Sequence, residues 1–231
     1  MTLDKRTTLE KVIENIKSGQ TIMVGGFGLI GSPLSVIDSL TNHDVSDLTV
    51  ISNNVGEAGE GLGLLLQQGK LKKAIGSYFT SNRDVAKWYN DGLLELELIP
   101  QGTLSEAIRA GGAGIGGFYT KTAVGTDLAK GKEIKEIDGE DYLLQKSLKA
   151  DVAIVKAWKA DPLGNLVYYK TARNFNPNMA TAADYVIAEV DEFVEVGELS
   201  PEEIATPHLF VDAIVKSHLV LTKDGVMERE S

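Results

Sequence analysis

Three glycines in the stretch TIMVGGFGLIGSP could bring the backbone close to a ligand. Gly26, Gly28 and Gly31 fit the pattern G-x-G-x-x-G. Between a strand and a helix, this pattern is typical of dinucleotide-binding folds, in which the helix N-terminus faces a pyrophosphate. Ser32 as N-cap and Pro33 as first helical residue predict a helix whose free N–H groups point into the same space. The stretch predicts a ligand-approaching loop, with a simple strand-to-helix turn as the alternative.

The dinucleotide interpretation requires two further features, and both are missing. The third glycine should lie inside the helix, and an acidic residue should end the next strand, where it would bind the ribose. Here the predicted helix begins after Gly31, and the next strand, LTVISNN, ends in Ser52, Asn53 and Asn54. An NAD(P)-dependent oxidoreductase therefore stays only as an alternative.

A second glycine-rich run, AGGAGIGGFYT at residues 110–120, suggests a flexible or ligand-contacting loop. So many glycines cost chain entropy that a core segment would not recover. In parallel sheets, ligands bind beyond the carboxyl ends of the strands. We therefore expect four segments, VGGFGLIG, SNNVG, PQGT and GGAGIGG, to converge on that edge.

Strand and helix patterns alternate along the chain and predict an α/β fold. The prediction is a single domain over residues 1–231, with a mostly parallel sheet sandwiched by helices. One excursion is expected, a β-hairpin at residues 133–145 that turns at Asp138-Gly139. An amphipathic helix with its apolar face at Leu9–Ile16 and a helix starting at Ser200 are also predicted.

Composition excludes several classes of function. The net charge is −10 and the pI is about 4.9, and no dense basic cluster is present, which argues against nucleic-acid binding. Absence of cysteine excludes disulfides, thiolate nucleophiles and cysteine metal sites. His43, His208 and His218 lack ligand spacing, so no metal is expected. Without an apolar signal segment or a membrane-length apolar run, we expect a cytoplasmic protein that does not bind membranes.

Several ordered motifs together resemble the A (alpha) subunit of family I coenzyme A transferases. They are VGGFGLIGSP, LTVISNNVG, GLGLLL, IPQGTLSEAIRAGGAGIGGFYT, VGT, KAWKADPLGN, ARNFNP and GELSPEEIATP. The resemblance implies a NagB/RpiA/CoA-transferase-like fold and transfer of CoA between succinate, acetate or butyrate and a 3-oxoacid such as acetoacetate. It implies no permanently bound cofactor, because coenzyme A is substrate and covalent intermediate.

The resemblance also implies that this chain carries half of an active site. In the family, the thioester is attacked in a ping-pong reaction by a glutamate that lies in a Ser-Glu-Asn-Gly motif of the B (beta) subunit. That tetrapeptide is absent here, and Asn53 stands at the comparable strand end. We therefore expect the chain to need a B subunit, in an assembly for which A2B2 is common. Glu57 as the nucleophile is the less favoured alternative to a solvated loop acid.

Roles for individual residues follow from the same resemblance. Gln101 resembles the glutamine that donates to the reacting carbonyl oxygen, with a turn residue as the alternative. Asn53 and Asn54 are expected to order the loop or bond across the subunit interface. Gly111, Gly112 and Gly114 would contact the acid or carry a closing loop, or form a plain turn. The expected wall of the pantetheine and thioester pocket is Val24, Gly25, Gly26, Phe27, Gly28, Leu29, Ile30 and Gly31.

A surface or subunit-contact role is expected for a further set of residues. These are Lys156, Trp158, Lys159, Arg173 and Asn174. The tail SHLVLTKDGVMERES departs from the basic ending of the succinyl-type A chains, so no contact is carried over to it. A sugar-phosphate sensor with an isomerase-like fold is a third functional class, and the lack of a DNA-binding segment argues against it.

Overall fold

Buried β-branched stretches form the central sheet of the computed structural model, which describes residues 4–229. Its strands are β1 (Thr21–Val24), β2 (Leu48–Ile51), β3 (Leu71–Gly76), β4 (Glu95–Leu98), β8 (Ala150–Ala160), β10 (Ala183–Phe193) and β11 (Ala213–Lys216). They run in the order β11-β10-β8-β1-β2-β3-β4, and all of these neighbours pair in parallel. The short β9 (Leu166–Val167) pairs antiparallel with β8. The predicted mostly parallel sheet is confirmed.

Helices cover both faces of the sheet, as predicted. They are α1 (Leu9–Ile13), α2 (Leu34–Thr41), α3 (Leu62–Gln67), α4 (Arg83–Asn90), α5 (Gln101–Gly112) and α6 (Asn176–Ala180). In β1, Ile22 and Val24 belong to the apolar cluster beneath α1–α4, whereas Met23 belongs to the cluster beneath α5 and α6. This alternation follows from the two-residue period of a strand. Within residues 4–229, no helix has the length and apolar character needed to cross a membrane.

The predicted hairpin is present and is part of a larger unit. Strands β6 (Ile134–Ile137) and β7 (Glu140–Lys146) pair antiparallel, and β5 (Gly117–Thr120) adds a third strand. Asp138 and Gly139 have φ values of +53° and +78°. Positive φ at both central residues is what a type I′ turn requires, so the turn chemistry fixes this hairpin locally.

Three predictions about the chain termini and helix starts need correction. The first helix is only Leu9–Ile13, although Ile16 is buried as expected. No helix starts at Ser200; residues 201–203 form a turn. The tail forms a hairpin of β12 (Leu219–Thr222) and β13 (Gly225–Glu228). Residues 1–3 and 230–231, where the predicted domain begins and ends, lie outside the described residues.

Candidate functional site

The loop after β1 folds into a two-residue β-hairpin, called here the first glycine hairpin (residues 27–30). Phe27 N donates to Ile30 O at 3.0 Å, and Ile30 N donates to Phe27 O at 3.2 Å. Gly28 has φ +60°, the sign that a type II′ turn needs at its first central residue. Phe27 and Ile30 are each about half exposed, at 48% and 49%. The hairpin thus presents two apolar side chains at the carboxyl edge of the sheet.

Neutral amide side chains hold this hairpin in place. Asn53, at the end of β2, accepts a hydrogen bond from Gly28 N at 3.3 Å. Asn174 accepts from Gly26 N at 3.2 Å and donates to Ile30 O at 3.0 Å. Asn53 therefore orders the loop, as one of its two expected roles required. Asn174, expected at the surface or a subunit contact, is instead part of the hairpin's support.

Two glycines of the loop are required by packing. A Cβ at Gly25 would lie 1.8 Å from Asn176 Oδ1, and one at Gly31 would lie 2.6 Å from Ala172 O. Asn176 Nδ2 also donates to Gly31 O at 3.0 Å. The chain segment 172–176 therefore passes directly against the loop, which explains these glycines without a ligand. Gly28, by contrast, has no heavy atom within 4 Å of a built Cβ.

Gln101 and the first glycine hairpin border one cavity of about 250 Å³. Gln101 is exposed at the first residue of α5, directly after Pro100, which ends the preceding extended segment. The lining residues are Phe27, Gln101, Gly102, Ser105, Asn174 and Phe175. None of these side chains is ionisable near neutral pH, so this set offers hydrogen-bond donors and apolar surface but no carboxylate nucleophile.

The second glycine-rich run lies elsewhere, so the predicted convergence of four segments on one edge is wrong for this one. Gly111 and Gly112 end α5, about 16 Å along the helix axis from Gln101 at roughly 1.5 Å per residue. A Cβ on Gly111 would lie 1.9 Å from Leu148 O, and one on Gly112 would lie 2.1 Å from Thr181 Oγ1. Leu148 and Thr181 precede strands β8 and β10, so these glycines pack at the opposite, amino edge.

Gly114 also belongs to that opposite edge. It follows the end of α5 with φ +71°, and a Cβ there would have no heavy atom within 4 Å. Its left-handed backbone redirects the chain into β5, which favours the turn alternative for this run.

Lys156 is not a free cation at the site. Its Nζ lies 3.1 Å from Glu189 and 2.6 Å from Asp191 on the adjacent strand β10. Glu189 is fully buried and accepts from Ser35 N at 2.8 Å and Val36 N at 3.1 Å. The expected N-cap role of Ser32 is therefore wrong, because the buried carboxylate of Glu189 accepts from the first turn of α2 instead. This group is the buried ionic cluster: Lys156, Glu189 and Asp191.

The buried ionic cluster lies beside a second cavity of about 250 Å³. This cavity sits where the strand order changes direction, between the ends of β1 and β8, with Ile30 on one wall and the C-terminal hairpin on another. Trp158 and Tyr169 line it and meet edge to face at 5.1 Å between ring centroids. Lys159, 3.3 Å from Glu192, and the exposed Arg173 are surface groups, as expected.

A second glycine hairpin, residues 57–60, follows β2. Glu57 N donates to Glu60 O at 3.2 Å and Glu60 N donates to Glu57 O at 3.1 Å. The Glu60 carboxylate accepts from Val226 N of β13 at 3.3 Å. Glu57 is half-buried, and the Asn54 amide donates to Ser81 Oγ at 3.2 Å. These contacts give the second hairpin a structural explanation.

The histidines and one buried phenol also take structural positions. His43 Nε2 lies 3.3 Å from Ile16 O, and no group of three metal-ligating side chains is found within residues 4–229. Burial raises the pKa of the Tyr168 hydroxyl, which lies 2.7 Å from Thr206 Oγ1, far above its ordinary range. Tyr168 therefore stays neutral at any pH at which the protein works.

Sequence comparison identifies the family to which this architecture belongs. The coenzyme A transferase family model matches residues 6–217. The chain therefore belongs to the coenzyme A transferase family. This confirms the resemblance drawn from the motifs and leaves the oxidoreductase alternative without support.

Individual relatives are similar over most of this chain. The alpha chain of a probable succinyl-CoA:3-ketoacid coenzyme A transferase of Bacillus subtilis is 54% identical over 200 residues, covering 87% of this chain and 84% of the relative. The alpha chain of a 3-oxoadipate CoA-transferase of Pseudomonas putida is 48% identical over 210 residues, covering 90% and 91%. A human mitochondrial succinyl-CoA:3-ketoacid coenzyme A transferase 2 is 43% identical, and the match covers 89% of this chain but 43% of that protein.

Solved structures share the fold at low sequence identity. An acyl-CoA transferase of Escherichia coli O157:H7, in a thioester complex with CoA, has a TM-score of 0.82 at 20% identity, covering 93% of this chain and 47% of that one. A glutaconate coenzyme A-transferase of Acidaminococcus fermentans has a TM-score of 0.79 at 23% identity, covering 92% and 75%. These likenesses confirm the fold class.

Proposed function

We propose that this chain is the alpha chain of a two-subunit coenzyme A transferase. It moves CoA between a short acyl-CoA, such as succinyl-, acetyl- or butyryl-CoA, and a 3-oxoacid such as acetoacetate. The observation that carries the proposal is the cavity beside Gln101, which is lined by an amide donor and apolar groups without a carboxylate. Relatives named as the alpha chains of such enzymes support a complex of two kinds of chain, as does a human relative about twice as long as the matched region.

In the proposed reaction, a glutamate of a partner B subunit supplies the nucleophile. Its carboxylate oxygen attacks the thioester carbon, the C–S bond breaks, and CoA leaves as a thiolate, giving a mixed anhydride. The thiolate then attacks the glutamyl carbonyl and releases the first acid, which leaves a glutamyl-CoA thioester. The 3-oxoacid reverses these two steps and takes the CoA. Coenzyme A is thus substrate and covalent intermediate, and no other cofactor takes part.

This chain would contribute binding and charge stabilisation. Gln101 Nε2 would donate to the thioester oxygen as negative charge develops on it, without any change in its own protonation. One such donor accounts for a factor of about 10² to 10³ in kcat. The first glycine hairpin and the residues before and after it, Val24–Gly31, would wall the thioester and pantetheine arm, where apolar side chains exclude water from the reactive acyl species.

The test is reconstitution of the full chain with a B subunit carrying Ser-Glu-Asn-Gly. With succinyl-CoA and acetoacetate, the mixture should form acetoacetyl-CoA, and each chain alone should not. Gln101→Ala should lower kcat about 10² to 10³-fold, whereas Gln67→Ala, on the distant helix α3, should not. Borohydride reduction of a thioester adduct should label the B subunit; a label on this chain would overturn the proposal.

The assembly and location form a finer part of the same proposal. We infer an A2B2 complex in the cytoplasm, without nucleic-acid or membrane partners. Light scattering of the reconstituted complex tests the stoichiometry, and cell fractionation tests the location.

A further inference from the structure

We propose that Asn174 is a positioning residue for CoA transfer: it fixes the first glycine hairpin at the height at which Gln101 can reach the thioester carbonyl. This inference rests on the proposed function. It concerns a residue in ARNFNP for which the sequence suggested only a surface or contact role.

The amide of Asn174 spans the hairpin from one strand to the other. Its Oδ1 accepts from Gly26 N, where the chain enters, and its Nδ2 donates to Ile30 O, where the chain leaves. The same amide is fixed to its own segment, because Phe175 N donates to Oδ1 at 2.7 Å and Nδ2 donates to Thr171 O at 3.0 Å. One planar group therefore ties both strands of the hairpin to segment 171–175.

The chemistry of this position calls for an amide. The contacts need a donor and an acceptor on one short side chain, and an ionised carboxylate has no donor while lysine and arginine have no acceptor. A neutral group is also required because Asn174 lines the same cavity as Gln101 and Phe27. A negative charge there would oppose the charge that develops on the thioester oxygen.

The position of the hairpin decides the shape of the cavity. Phe27 lies on the hairpin, Gln101 lies on α5, and Asn174 is the side chain that lines the cavity between the two and bonds to the hairpin. If the amide is removed, the hairpin can shift relative to Gln101 by a fraction of an ångström to an ångström. Misplacement of this size costs up to about 10²-fold in rate.

The test compares Asn174→Ala and Asn174→Asp with a control, Asn178→Ala, in the reconstituted enzyme. Asn178 lies on α6, and its backbone carbonyl, which the substitution keeps, accepts from Thr181. We expect Asn174→Ala to lower kcat about 10- to 100-fold, with the KM for acyl-CoA changed less than threefold. Asn174→Asp keeps the size and the acceptor but not the donor, and should lose at least as much. Asn178→Ala should stay within twofold of wild type.

A double-mutant cycle separates positioning from a merely structural role. If Asn174 acts by placing the thioester against Gln101, then Asn174→Ala should cost less than threefold in a Gln101→Ala background, where no donor remains to be positioned. Equal factors in both backgrounds would overturn the inference. A wild-type complex without any CoA transfer would instead overturn the proposed function, so the two failures are distinguishable.

Discussion

The two glycine hairpins share a backbone design but differ in what they present. Each follows a parallel strand and closes with a reciprocal pair of backbone hydrogen bonds, at Phe27–Ile30 and at Glu57–Glu60. In the first, the glycine with positive φ comes first in the turn (Gly28), and in the second it comes second (Gly59). They lie side by side, since a Cβ on Gly61 would sit 2.8 Å from Leu29 Cδ2.

Their side chains and supports explain why only the first borders the candidate site. The first presents Phe27 and Ile30 and is held by the neutral amides of Asn53 and Asn174. The second presents two glutamates, one of which bonds to the C-terminal hairpin. The same turn thus makes an uncharged wall in one place and an anchor for the C-terminal hairpin in the other.

The largest expected effect concerns how the helix after each hairpin begins. Helix α2 has its first N–H groups paired with Glu189, whereas α3 begins at Gly61 without a side-chain cap. Glu189→Ala should lower the free energy of unfolding by about 3–5 kcal/mol, because it also leaves Lys156 with less compensation for its buried charge. Urea denaturation of the full chain measures this.

Glu192→Ala is the matched control, because Glu192 forms a partly exposed ion pair with Lys159 on the same two strands. It should cost less than about 1 kcal/mol. Equal losses for the two variants would contradict the importance of the buried ionic cluster.

The next effect tests how tightly the first hairpin is packed. Gly25→Ala should destabilise the chain by about 1–3 kcal/mol, since its Cβ would collide with the buried Asn176. Thermal unfolding compares it with Gly102→Ala, a helical position with open space around the Cβ, which should be stabilised by up to about 1 kcal/mol. A neutral Gly25→Ala would mean that segment 172–176 moves aside easily.

Exchanging a side chain between the hairpins sharpens the comparison further. Phe27→Glu places at the first hairpin the residue that opens the second. The chain should fold normally because Phe27 is half exposed, but kcat/KM should fall at least about tenfold, or about 1.4 kcal/mol, through repulsion of the anionic acid. Phe27→Gln, of the same size without the charge, isolates the electrostatic part. If the Glu and Gln variants lose activity equally, charge is not the reason.

The smallest expected effect lies at the second hairpin. Glu60→Ala removes the bond to Val226 N and should cost about 1 kcal/mol of stability, measured by denaturation, with turnover within twofold. Glu57→Ala should change neither quantity appreciably. Complete loss of turnover in Glu57→Ala would make that residue the nucleophile and break the distinction between the hairpins.

Sequence patterns predicted the parts of this fold that depend on local chemistry. The α4 cap at Asn82, which accepts from Asp84 N at 3.0 Å, and the Asp138-Gly139 turn need only a few neighbouring residues. Alternating strands and helices were enough for the parallel sheet. The helix expected at Ser200 failed because a few acidic and polar residues at a turn resemble a helix start.

The site was less predictable because its contacts join distant parts of the chain. Asn174 lies 148 residues from Gly26, and Glu189 lies 154 residues from Ser35. No spacing rule connects such pairs. The glycines at 111 and 112 misled for a related reason: glycine tolerates close backbone approach whether the neighbour is a ligand or another segment, as here.

Helix α5 has a mechanical consequence for the reaction. Its last turn is wedged between the backbone at Leu148 and the Thr181 side chain, while its first residue is Gln101. A helix of this length behaves as a stiff rod, so a displacement at the wedged end would swing the amide at the other. Side chains that never meet substrate, on the far side of the sheet, therefore act as the fulcrum that aims the reacting group.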